Sequence, residues 1–184
     1  GGPLLTVVSD VVADMGASWG TDERILVSLA NRTGLSRVSA AGGAVETVPS
    51  LDVAKENSHR FPQLLPDGRH FLFTVRSDRP ENLGIKIGAF GSPAVQLLVA
   101  APSPARFAER GWLLFMRPDE VLMAQRLEPG TWTLTGSPQP IAASVRYNGP
   151  SFYGAFDVSR DGRVLTYTPA AQTQGTLAWF DRSG

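Results

Sequence analysis

The sequence predicts an all-β chain assembled from four similar units, and three observations predict it. An apolar–turn–apolar phrase recurs along the chain. Segments between turns alternate in polarity with a period of two, and none shows sustained helical periodicity. Nineteen Gly and fourteen Pro are spread along 184 residues, which suits many short elements joined by turns.

The phrase is clearest at Leu64–Phe73, LLPDGRHFLF, and returns more weakly at Ser18–Ser28, SWGTDERILVS, and Val158–Tyr167, VSRDGRVLTY. Asp22, Asp67 and Asp161 occupy equivalent places, 45 and then 94 residues apart. The second gap is about double the first and predicts a copy between them. Glu109–Arg117, ERGWLLFMR, is that copy, with Gly111 in place of Asp-Gly. A second marker runs in another phase: GGPLLTVV from Gly1, GGAVETVP from Gly42, GSPAVQLL from Gly91 and GSPQPIA from Gly136. Together they divide 1–184 into repeats of approximately 3–43, 44–91, 92–136 and 137–184, each with its outer strand first.

Within a repeat the elements follow from local chemistry. Arg69–Arg76, RHFLFTVR, places Phe71, Phe73 and Val75 on one face and Leu72 and Thr74 on the other, as a half-buried strand requires. Asp67-Gly68 between two such runs predicts a tight hairpin of type I′, whose two central residues need positive φ. Four strands per repeat follow, in the second near Phe61–Leu65, His70–Arg76, Gly84–Phe90 and Val95–Ala100. Four-stranded repeats of this length are blades of a β-propeller: one sheet alone cannot cover both its faces, so blades stack radially. A closed four-blade unit and a piece of a larger ring are both open readings. In the closed reading, Leu4–Val8 supplies the outer strand that completes the last blade.

Composition removes several functions. Lys plus Arg and Asp plus Glu are 17 each, so no positive field gathers phosphates and nucleic acid is not an expected partner. No Cys is present, which excludes disulfides, thiol catalysis and thiolate metal sites. The longest uncharged stretch, Ile87–Ala105, carries Pro93, Pro102 and Pro104 and is a poor membrane span, so no membrane insertion is expected of this region. No initiator Met and no basic-then-apolar leader begin the chain, which reads as a piece of something larger.

The remaining chemistry is sparse. His59 and His70 with Asp67 form the one conceivable zinc set, but one imidazole precedes a strand and the other lies within one, so no metal or cofactor is expected. Gly16-Ala17-Ser18-Trp19-Gly20 satisfies the nucleophile-elbow string, yet a strand and an Asp-containing turn follow it where an elbow needs a helix. Asp52, Glu56, Asp78, Glu81, Asp119 and Glu120 read as solvated loop charges. A hydrolase would need two of them facing across a cleft. Trp19, Phe71, Phe73, Trp112, Phe115, Trp179 and Phe180 fall on strand positions and are expected in the inter-blade core.

Connections carry binding residues more often than strands do. The segment Arg146, Tyr147, Asn148, Gly149, Pro150, Ser151, Phe152, Tyr153 is therefore the leading recognition loop, because Tyr and Arg are common interface anchors. Trp132 also falls in a connection. The second choice is Asp52–Arg60, including His59 and Arg60, which precede an inner strand and suit hydrogen bonds between blades.

SWGTDERILVS, LSRVSAAGG, ENSHRFPQLLPDGRHFLF, LTGSPQPIA and LAWFDRSG resemble the WD40-like (PD40, TolB-type) propeller repeats. They are most similar to those C-terminal to serine/threonine kinase domains of acidobacterial type. Thr21-Asp22-Glu23 departs by lacking the turn Gly, and the third copy departs by losing the Asp. The resemblance implies a non-catalytic sensor or interaction module, extracytoplasmic or periplasmic, whose partner is a protein or peptide. The chain itself carries no kinase motif, since His59-Arg60 is followed by Phe61 rather than Asp. A TolB-like periplasmic interaction protein and a propeller-type glycan-active hydrolase or lyase are the alternatives. Open blade edges, or exchange of the outer strand, make a homodimer the other expected partner.

Overall fold

The computed structural model describes residues 4–9, 11, 15–48, 52 and 54–170. They form an all-β structure with one short 3-10 turn at Pro80–Asn82. The first sheet contains β1 (Ala17–Trp19), β2 (Arg24–Ser28), β3 (Leu35–Ser39) and β4 (Glu46–Thr47). The second contains β5 (Ser58–Leu64), β6 (His70–Arg76), β7 (Gly84–Ala89) and β8 (Val95–Val99). The third contains β9 (Ala105–Ala108), β10 (Trp112–Met116), β11 (Leu122–Glu128) and β12 (Thr133–Ala142). Each is an antiparallel meander in chain order. Two hairpins follow, β13 (Tyr147–Asn148) with β14 (Tyr153–Gly154), and β15 (Phe156–Val158) with β16 (Leu165–Tyr167).

The turns that carry the repeated phrase correct one expectation. Gly68 has φ +66°, but Asp67 does not share the positive φ that a type I′ turn requires of both central residues. The Gly68 N–H instead donates to the Leu65 carbonyl at 3.0 Å, and the Leu65 N–H to the His70 carbonyl at 2.9 Å. This is a tight turn followed by a left-handed residue, the longer hairpin form in which Gly is needed once. Gly111 (φ +81°, bonded to Ala108) and Gly162 (φ +68°, bonded to Ser159) repeat it. The aspartate has its own task. Its Oδ1 accepts the backbone N–H two residues on: Arg24 on Asp22 at 3.3 Å, Arg69 on Asp67 at 3.0 Å and Arg163 on Asp161 at 3.2 Å. A short carboxylate capping its own turn is an Asx-type arrangement.

In the first copy Glu23 takes the left-handed position, with φ +55°. A side chain there costs roughly 1–2 kcal/mol, part of which Gly returns through its greater freedom in the unfolded chain. Glu23→Gly is expected to stabilise the protein by about 0.5–1 kcal/mol in thermal or urea unfolding. Unchanged or lower stability would count against strain at this turn.

Three apolar layers lie between successive sheets. Leu26 and Leu35 of the first sheet meet Phe71, Phe73 and Val75 of the second. Leu72, Ile85 and Ile87, on the second sheet's other face, meet Phe107, Leu113, Phe115 and Met123 of the third. Leu114, Met116 and Leu122 then meet Val145 and Phe156. The alternation read from RHFLFTVR is present, but β6 is buried on both faces rather than one. Even Thr74 is buried, its hydroxyl donating to the Ser103 carbonyl at 2.6 Å.

The aromatic expectation divides. Phe71, Phe73 and Phe115 are core residues, whereas Trp19 is 60% exposed and Trp112 is 38% exposed. Trp132, expected on a connection, is buried and donates its indole N–H to Asp67 Oδ2 at 3.1 Å. Trp179 and Phe180 lie outside the described residues.

Direct bonds join the first strands of successive sheets. The Gln63 amide forms two of them with β9: its Nε2 donates to the Phe107 carbonyl at 3.0 Å, and its Oε1 accepts the Phe107 N–H at 2.6 Å. The Leu64 N–H donates to Ser18 Oγ of β1 at 2.9 Å. Beyond β9, Arg106 pairs with Asp157 of β15 at 3.1 Å, and the Glu109 N–H reaches the Arg160 carbonyl at 2.8 Å. Leu4–Val8, expected as the outer strand of the last blade, is not a strand among the described residues, and 171–184, in the blade it was expected to complete, lie outside them. The Thr6 and Val7 carbonyls pass beside Gly42, in the first sheet's own β3–β4 turn.

Candidate interaction face

The starts of β5, β9 and β15 lie at one end of the stacked sheets, and the two sequence-predicted segments meet there. Arg60 is the junction. It is buried, and its guanidinium donates to Ser58 Oγ at 2.9 Å, to Asn31 Oδ1 at 2.8 Å and to the Ser151 carbonyl at 3.0 Å. One planar fork thus ties the β2–β3 turn, its own strand and the β13–β14 turn. Beside it a bulge interrupts the β5–β6 pairing between Arg60 and Gln63. At the bulge Phe61 takes φ +51° and its N–H turns away to the Met15 carbonyl at 2.7 Å. This re-aims the Phe61 ring, as bulges do, to within 6.5 Å of the Tyr153 ring. A cleft of about 460 Å3 opens here, lined by Phe61, Pro104, Arg106, Tyr153, Asp157 and Thr168.

The predicted residues differ in what they are free to do. Tyr153 remains 44% exposed on the rim of the cleft. Phe152 is half-buried with φ +62°, and the Arg76 guanidinium lies 5.9 Å from its ring. Tyr147 is held rather than presented: its hydroxyl donates to the Pro102 carbonyl, and burial pushes its pKa up. Asn148 is exposed but spends its Oδ1 on the Ser151 N–H at 3.1 Å, closing the turn. Arg146 is exposed, and its backbone N–H bonds the Thr168 carbonyl at 2.7 Å.

His59 points elsewhere. It is buried against Phe73, with ring centroids 4.8 Å apart, and its Nε2 lies 2.8 Å from Glu56 Oε2. Glu56 Oε1 accepts from Lys86 Nζ at 2.8 Å. Burial pushes the Glu56 carboxyl up, but its bonds to His59 and Lys86 outweigh that and lower its pKa to about 2. This cluster clamps the Asp52–Arg60 connection to β5 and β7. His59 sits at the start of β5 and His70 at the start of the antiparallel β6, so the hairpin holds them at opposite ends. His70 Nδ1 instead lies 2.6 Å from Asp67 Oδ2. Ser18 lies inside β1, with its hydroxyl oxygen accepting the Leu64 N–H rather than exposed on an elbow.

Asn31, Phe61 and Arg76 complete this face and were not legible in the sequence as part of it. Arg60 and its partners Asn31 and Ser151 are 29 and 91 residues apart, and no local pattern links them. No family model matches this chain, and no curated protein matches it.

Proposed function

We propose that this chain is a β-propeller segment of the WD40-like repeat type and acts as a non-catalytic interaction module for a protein or peptide. In this reading it belongs to a larger bacterial protein, such as a receptor-type serine/threonine kinase, and works outside the cytoplasm. The observation that carries the reading is the meeting of two connections at Arg60 and Ser151, beside an open cleft with an exposed Tyr153. Loops held rigidly at one end of stacked sheets are where such scaffolds carry recognition. Aromatic side chains with a polar tip are favoured there because they bury large area at small entropic cost.

The test is site-specific photocrosslinking from position 153 in the full-length protein, with position 97 on the exposed outer strand β8 as control. The expected result is a discrete adduct from position 153 alone, lost with unlabelled partner in excess. Adducts of equal yield from both positions, or none from 153, would remove this face from consideration.

A further inference from the structure

The far ends of β1, β5, β9 and β15 enclose a second cavity, at the opposite end of the sheets from the interaction face. It measures about 240 Å3, and all four strands or their following turns contribute: Trp19, Asp22, Leu64, Phe107, Glu109 and Arg160 line it. Trp19 offers this cavity an aromatic surface. It is 60% exposed at the cavity wall, while its neighbour in sequence, Ser18, is turned to β5.

We propose that this cavity binds a neutral saccharide unit stacked on the Trp19 indole. A sugar ring presents an apolar C–H face and a rim of hydroxyls. It therefore needs an aromatic surface on one side and mixed donors and acceptors around it. Thr21, Asp22, Glu109 and Arg160 supply that mixture. The charges are already balanced: Asp22 pairs with Arg37 at 2.5 Å and Glu109 with Arg160 at 3.7 Å. No surplus negative charge is left to select a cationic ligand, and no surplus positive charge to select a phosphate or carboxylate. The Gln63 amide also lines the cavity but is committed to Phe107 on both of its atoms. It therefore forms part of the floor. The site is independent of the interaction face, and failure of either leaves the other standing.

The experiment uses the intact chain with 15N-labelled indoles, titrated with maltose, cellobiose, lactose and N,N′-diacetylchitobiose at millimolar concentrations. At least one sugar is expected to shift the Trp19 indole N–H signal saturably. Trp19→Ala should weaken that binding about tenfold. Trp19→Phe should retain most of it, and Trp112→Ala, which removes the other partly exposed indole among the described residues, should leave it unchanged. No saturable shift with any of the four sugars would overturn the proposal. So would binding that persists in Trp19→Ala, or a Trp19-dependent shift given only by a lysine-rich peptide.

Discussion

Gln63→Leu is expected to destabilise the protein by about 2–4 kcal/mol in urea or guanidinium unfolding, although the two side chains are similar in size. The amide of Gln63 does what a neighbouring strand would do: it presents a donor and an acceptor, in register, to the carbonyl and N–H of Phe107. Phe107 is buried, so removing the amide leaves its two backbone groups without that partner, beneath an apolar side chain. Each unsatisfied group costs roughly 1–3 kcal/mol. Gln63→Glu separates the two contributions, because it keeps the acceptor and loses the donor. It is expected to fall between Leu and the unmodified protein. A loss below about 0.5 kcal/mol in Gln63→Leu would mean that β5 and β9 are held together by the apolar layer alone.

Arg60→Met should cost about 3 kcal/mol or more, with a local signature that Gln63 lacks. Three bonds radiate from the Arg60 guanidinium to three separate segments, and charge-assisted bonds contribute about 1.5–3 kcal/mol each before the cost of burying the charge. Amide exchange at Ser151 and Phe152 is expected to speed up more than exchange in β6 or β10, because the β13–β14 turn loses its anchor while the apolar layers remain. Arg60→Lys should not rescue it, since a single ammonium cannot span Asn31, Ser58 and Ser151 at once. Uniform acceleration across all sheets would show that Arg60 acts on global stability only.

Much of the architecture was legible in the sequence. The period-two pattern of RHFLFTVR is intrinsic to a strand, and β6 occupies the residues it marks. The spacing of Asp22, Asp67 and Asp161 identified the turns, because a left-handed residue and a capping carboxylate are local requirements that any copy must meet. The degraded copy at Gly111 was visible for the same reason: the position that needs positive φ kept its Gly although the Asp was lost. The turn subtype was misread, since Asp-Gly suits two hairpin geometries and only the φ of Asp67 separates them.

The candidate sites were legible only in part. The segment 146–153 and the pair His59-Arg60 were singled out, and Arg60 does meet Ser151. The roles within them were not distinguishable, because Tyr147 and Tyr153 look equivalent until one hydroxyl is found on Pro102 and the other ring on a cleft. Trp19 was assigned to the core because it lies on a strand, and Trp132 to the surface because it lies on a turn. Both were reversed by what the neighbouring sheets cover.

The sequence by itself determined the strands, the turns and their repetition, because these depend on side-chain alternation and backbone φ within a few residues. Tertiary structure alone decided that Gln63 meets Phe107, that Arg60 joins three segments and that Trp19 faces open space. Those outcomes depend on how whole sheets stack: the bonded residues are 29 to 91 positions apart, and Trp19 is left exposed because no neighbouring sheet covers it.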